Sequence, residues 1–237
     1  MDSQKTPIDM NSKPSRTNET AEKLISFILS LNMKEGDRLP NEAELSSMLK
    51  VSRSTLREAI KQLVGRNILD VKQGSGTYIS SKRGIPVDPL GLTFLAHNKK
   101  LAMDLIDVRI MLEPHIAAAA AIHATEEECQ ELLRLSSLHA SLICAGEDYQ
   151  DADTKFHEQI AKCSGNAVLV NLIPIISSSV YVSTTISDMD FRQTSIRYHQ
   201  MITEAICRKD FLGAQNAMLA HLNASRDYFI HMDDTVS

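Results

Sequence analysis

Gly36-Asp-Arg-Leu-Pro-Asn-Glu-Ala-Glu-Leu45, then Val51-Ser-Arg-Ser-Thr-Leu-Arg-Glu-Ala-Ile60, then Gly74-Ser-Gly-Thr-Tyr-Ile79 is the stretch on which the fold of this chain turns. Gly36 and Pro40 mark a connecting loop. Asn41 with Glu44 three residues on is an N-cap signature, and Leu45, Met48 and Leu49 give it a short helix to start. A turn at Lys50 and Val51 leads to Ser52 and Ser54. A further helix then runs to about Arg66, with Leu56, Ile60 and Leu63 on its inner face. Beyond it, Ile68–Val71 and Thr77–Ile79 are short β-prone runs around a tip containing Gly74 and Gly76, which tolerate positive φ. Upstream, Leu24, Ile28 and Leu31 are spaced for a first helix over Thr20–Leu31. Three helices followed by a hairpin make a winged helix-turn-helix, with expected bounds 19–81.

Residues 1–18 are polar, hold two prolines and lack periodicity, so a disordered arm is expected there. Residues 82–89, with Gly84, Pro86 and Pro89, read as a linker. From 90 to 232 only helical periods are found. The expected helices are 88–97, 99–123, 125–145, 147–164, 166–185, 189–208 and 210–231. No strand pattern competes, so the fold class is mainly α: a winged helix-turn-helix followed by an all-α helical bundle.

The chain has 237 residues and a net charge of −5. Residues 1–82 hold 13 Lys/Arg against 10 Asp/Glu, and residues 83–237 hold 12 against 20, so the two parts face different partners. The four cysteines show neither CxxC spacing nor a disulfide framework and read as reduced thiols. The first residues are too polar for a signal peptide. The most apolar stretch, Val168–Ile186, contains Asn171, Pro174 and several serines, which suits a buried helix better than a membrane span. The expected location is the cytoplasm, without a membrane partner.

Two constellations carry chemistry. On the third helix, Arg53, Ser54, Arg57 and Lys61 lie opposite the apolar face, three and four residues apart, and so are neighbours in space. Arginine suits the guanine edge, while small hydroxyls suit phosphates. An isolated basic stripe of this kind is more often a solvated face; the helix-turn-helix and hairpin context favours DNA. In the second part, Asp153 and His157 are four apart on a helix, and His199 and His221 lie on two later ones. A carboxylate with imidazoles inside a bundle can enclose one divalent ion and leave positions open. Spacing alone does not choose this over ordinary core or surface histidines, of which the chain has eight in all.

The three blocks around Arg38, Arg57 and Gly74 resemble the DNA-binding domain of the GntR family, over about residues 20–80. The resemblance implies a homodimer on a palindromic operator. Arg53 and Arg57 would contact bases, Ser52, Ser54 and Thr55 would hold phosphates, and the wing tip at Gln73 and Gly74 would enter the minor groove. Arg38, in the first block, joins the DNA-contacting set. One position departs from the pattern: Ala43 stands where the family usually has an arginine. Asp107–Pro114, Asp153–Asn166, His199–Ile206 and His221–Leu222 resemble the FCD effector domain of the FadR subfamily, over about 88–230. In metal-binding members the positions of Asp153, His157, His199 and His221 hold an ion, often zinc or nickel. The implied effector is a small carboxylate such as a sugar acid or hydroxy acid. Arg109 would pair with a second anionic group, or else form a salt bridge with Glu113 at i+4.

The expectation is a ligand-responsive regulator, a repressor by family habit, and not an enzyme. Two alternatives share the Asp/His set: a regulator for which the ion itself is the signal, and a metal-dependent hydrolase. The hydrolase needs a positioned base or nucleophile in a recognisable motif, and the sequence offers none.

Overall fold

The structure is a computed structural model that describes residues 15–82, 84–92, 95, 99–183 and 189–231. It divides into two compact units between Pro89 and Leu90. Among the described residues, no helix is long and apolar enough to cross a membrane.

The first unit is α1 (Arg16–Ser30), α2 (Glu42–Leu49), α3 (Arg53–Gly65), β1 (Leu69–Lys72) and β2 (Gly76–Ile79). Each helix has a sequence-encoded start. Ser15 caps α1, Asn41 and Glu44 form a reciprocal capping box on α2, and Ser52 caps α3. Their inner faces (Leu24 and Ile28, Leu45, and Leu56, Ile60 and Leu63) close over Leu39 and Leu69 in one core. The strands pair antiparallel, Leu69 opposite Ile79 and Lys72 opposite Gly76. The loop before α2 adds to this hairpin: Leu39 N–H donates to Thr77 O and Ile79 N–H to Asp37 O, both at 2.9 Å. Gly76 has φ +133°, and a Cβ there would lie 2.9 Å from Arg38 Nε. Only glycine lets the Arg38 side chain lie across the hairpin this closely.

Two expected boundaries shift. Residues 16–18, read as part of an arm, are the first turn of α1, because the Ser15 hydroxyl accepts from Asn18 N–H at 3.2 Å. Residues 1–14 of that arm lie outside the described residues. The expected linker is fastened at its start: Gly84 N–H donates to Asn67 O and Asn67 Nδ2 to Ile85 O.

The described residues of the second unit form six helices: α4 (Lys99–His123), α5 (Glu126–Ala145), α6 (Gln150–Cys163), α7 (Ala167–Ser183), α8 (Met189–Cys207) and α9 (Phe211–His231). α4 is central and packs on α6, α7, α8 and α9. Ala117, Ala120 and Ala121 on α4 are fully buried, and their small side chains allow close helix approach around Leu132, Phe156, Ile202 and Leu222. Thr125 and Glu128 form a capping box at the start of α5, and Gly146 closes it in the left-handed region. The helix expected at 88–97 is not formed at residues 88–92 and 95, which are turns, bends or irregular; 93, 94, 96 and 97 lie outside the described residues. Pro89 and Gly91, the latter at φ +68°, explain the break.

Leu132 is fully buried in this core, whereas its neighbour Leu133 is 51% exposed. Leu132→Ala is expected to lower the unfolding free energy by about 2–5 kcal/mol. Leu133→Ala should stay within about 0.5 kcal/mol of the wild type. Urea denaturation followed by circular dichroism measures both.

Candidate nucleic-acid interface and candidate metal centre

The start of α3 gathers hydroxyls. Ser52 Oγ accepts from Thr55 N–H at 3.1 Å and lies 3.0 Å from Ser54 Oγ and 2.7 Å from Thr55 Oγ1. Free amides and the positive end of the helix dipole favour an anion at this place. Arg53, Ser54 and Arg57 are exposed, as are Arg38, Gln73 and Gly74. Arg57 Nε donates to Glu42 Oε2 at 2.7 Å, with the two side chains 63% and 40% exposed. Such a pair at open surface contributes little, so Glu42 orients the guanidinium without withholding it. Ala43, beside Glu42, is exposed and brings no charge.

The second constellation is buried. α6 presents Asp153 and His157 one turn apart, α8 presents His199, and α9 presents His221. One ligand atom from each of the four lies within 4.8 Å of all the others. His199 Nε2 is 3.3 Å from Asp153 Oδ1, and His157 Nε2 is 3.8 Å from Asp153 Oδ2. On its other edge, His157 Nδ1 lies 2.6 Å from Glu113 Oε2. Glu113 Oε1 in turn accepts from Arg109 Nε at 2.6 Å. Arg109, Glu113 and His157 therefore form a buried chain that fixes the His157 ring and leaves Nε2 facing Asp153. Carboxylates commonly hold metal-ligating histidines in this way.

The electrostatics follow from burial. Burial pushes the Asp153 carboxyl up, but the surrounding His157, His199 and His139 imidazoles outweigh it and hold the group well below the usual range. Glu113 is likewise raised by burial and then held at about 2 by Arg109 and His157. Burial, reinforced by the neighbouring His157, lowers His199, and burial with His199 lowers His221 well below the ordinary value. The centre thus favours an ionised Asp153 beside neutral His199 and His221, the protonation states that a divalent transition ion requires. His157 Nε2 and both ring nitrogens of His199 are buried without a hydrogen-bond partner. Unpartnered buried nitrogens around a carboxylate, at separations of the order of a metal's coordination sphere, fit a divalent ion.

Arg109 forms the i+4 pair with Glu113, and it also lines a cavity with Tyr149, Asp153, Ser195, His221 and Ser225. The cavity holds about 20 Å³, room for a water and not for a larger molecule without movement of its walls. Phe191 and Phe229 supply its apolar side.

Sequence reasoning missed two participants. Glu113 was seen only as a partner for Arg109, and its second contact to His157 was not. His139, fully buried on α5, carries no motif or spacing that ties it to the other four residues. Its signal is positional: it falls on the inner stripe Leu132, Leu135, Ser136, His139, Ile143, a polar ring on an otherwise inward face.

Comparison with known proteins agrees with this division. The family described as bacterial regulatory proteins, gntR family, matches residues 16–79, and the FCD domain matches residues 104–224. The HTH-type transcriptional regulator LutR of Bacillus subtilis (strain 168) is 30% identical over 203 residues, covering 82% of this chain and 92% of that protein. The Uxu operon regulator of Haemophilus influenzae is 30% identical over 207 residues, covering 84% of this chain and 76% of its own. Among solved structures, Streptococcus agalactiae GntR superposes with a TM-score of 0.80 at 38% identity, covering 89% of this chain and 99% of that one.

Removing the central carboxylate tests the buried chain. Glu113→Ala removes the buried carboxylate that Arg109 and His157 share and is expected to destabilise the protein by about 3–5 kcal/mol. Because the carboxyl is held at about 2 against an ordinary 4.5, its contribution is complete above 4.5 and is lost as the pH falls toward 2. Acid titration of stability should therefore fall less steeply over that window in Glu113→Gln than in the wild type.

Proposed function

Because the chain belongs to the GntR family of bacterial regulatory proteins and carries an FCD domain, we propose that it is an operator-binding repressor released or retained by a small carboxylate bound at a metal centre. It is a DNA-binding transcription regulator, not an enzyme. The observation that supports the sensor reading is the buried Asp153, His157, His199 and His221 set, whose ligand atoms converge and in which burial favours neutral His199 and His221.

On DNA, Arg53 and Arg57 read base edges, while the hydroxyls of Ser52, Ser54 and Thr55 hold backbone phosphate at the helix start. Arg38 lies across the wing, and Gln73 and Gly74 at the tip, where Gly74 has no side chain, approach the minor groove. The head binds as a homodimer, one copy per half of a palindromic site. Exposed apolar side chains on α4 support a second copy: Met111 is 70% exposed, Ile122 61% and Val108 39%. The place of action is the cytoplasm.

In the sensor, Asp153, His157, His199 and His221 hold a divalent ion, zinc or nickel by donor type. When bound, the ion supplies a Lewis-acid anchor for a carboxylate. The chain's own groups do the rest. Glu113 fixes the His157 tautomer, Arg109 offers positive charge at the cavity wall, and Ser195, Ser225 and Tyr149 line it with hydroxyls. Sugar acids and hydroxy acids combine a carboxylate with hydroxyls and match that lining. Since the cavity is so small, an effector binds only as its walls move. Differential affinity for the moved and unmoved bundle is what couples effector to DNA. The alternative, in which the ion itself is the signal, predicts that adding metal alone changes operator affinity.

Arg57→Ala is expected to weaken operator binding by about 1–3 kcal/mol, a loss of about 5- to 150-fold in a mobility-shift titration. Wild-type affinity in the variant would remove α3 from the reading role. The His199→Ala, His221→Ala double variant is expected to lose its bound ion by elemental analysis. Unchanged stoichiometry would refute the four-residue site.

A further inference from the structure

The site has a fifth member, His139. It sits on α5 and approaches the Asp153 oxygen other than the one nearer His157. Its Nε2 is 3.6 Å from Asp153 Oδ1, the same oxygen that lies 3.3 Å from His199 Nε2. Its ring lies 4.2 Å, centroid to centroid, from the His199 ring at 30°, and Phe156 stacks on the other face of His199 at 4.1 Å and 16°. His199 is thus held between His139 and Phe156. Tyr149 meets the His139 ring edge-on at 5.3 Å. His139 is fully buried, and neither ring nitrogen has a hydrogen-bond partner. A buried imidazole with no partner is unfavourable by itself. Packing alone would be served as well by leucine.

The geometry points to His139 as a positioning residue for the metal centre: its Nε2 lies beside Asp153 Oδ1 and its ring packs on His199, so that it orients one carboxylate and one imidazole ligand at once. This inference rests on the metal reading of the Asp153 set. It does not make His139 a ligand, because His139 stands outside the group whose ligand atoms all approach one another within 4.8 Å. It reaches that group through Asp153. The 3.6 Å separation is an ion-dipole distance, and a shift of about 0.7 Å brings it to hydrogen-bond length. Outer partners of this kind typically contribute about 10- to 100-fold in metal affinity.

The test uses the full chain, stripped by chelator and titrated with Zn(II), Ni(II) and Co(II). The variants are His139→Leu, which fills the space without a donor, and His139→Gln, which keeps an N–H donor. In His139→Leu, Zn(II) affinity should fall about 10- to 100-fold while saturation still reaches the wild-type number of ions. His139→Gln should recover most of that loss. The Co(II) absorption of both variants should keep the wild-type band pattern, since no ligand is lost, whereas His199→Ala should change it. Equal affinity in wild type and His139→Leu overturns the positioning role. Equal loss in Leu and Gln shows that an N–H donor at this position does not matter and also overturns it. A Co(II) spectrum altered as in His199→Ala makes His139 a ligand instead. If the wild type itself takes up no ion, the metal reading fails and this inference fails with it. Thermal unfolding of each stripped variant separates these outcomes from misfolding.

Discussion

Two ionised carboxylates lie in the middle of a helical bundle, and the rest of the second unit is arranged around that fact. Asp153 and Glu113 are almost fully buried, where an unpaired charge is prohibitively unfavourable. The fold meets the problem by surrounding each with nitrogen. Glu113 takes Arg109 on one side and His157 on the other. Asp153 has three imidazoles and, in our reading, a divalent ion. A bundle built only for stability would use apolar side chains here. Polar groups kept at such expense signal function, and their separations are those of a coordination sphere.

The two units apply opposite electrostatic logic. In the head, charge is at the surface, where Arg53 and Arg57 are exposed, and the core beneath is built on apolar side chains with no buried charge among the described residues. In the sensor, charge is inside and the apolar core forms a shell around it. A surface cation is exposed to screening and exchanges partners readily. A buried centre responds only to what enters it. That contrast suits the switch proposed above, which pairs a salt-sensitive contact with DNA with a selective internal site.

Much of this was legible in the sequence, for local reasons. Caps, turns and apolar periods are encoded within a few residues, so the capping box of Asn41 and Glu44, the face of Leu56, Ile60 and Leu63, and the long helix 99–123 could be read directly. Asp153 and His157 were legible as a pair because both lie on one helix. Their union with His199 and His221 was not fixed by spacing, since it depends on how three helices pack; resemblance supplied it. His139 was hidden for the same reason, coming from a fourth helix with no spacing to the others. Glu113 was visible as a partner for Arg109, yet its second oxygen serves a residue 44 positions further on. The errors at 16–18 and 88–97 were also local in origin. A single hydroxyl at Ser15 starts a helix in polar sequence, and Pro89 with Gly91 breaks one in apolar sequence.

Anomalous X-ray diffraction, from crystals of the full chain purified without chelator, tests the central claim most directly. The account predicts one anomalous peak between α6, α8 and α9, about 2.0–2.2 Å from an oxygen of Asp153 and from a ring nitrogen each of His157, His199 and His221. Well-ordered density for those four side chains with no peak between them, in crystals soaked with Zn(II) or Ni(II), would contradict it.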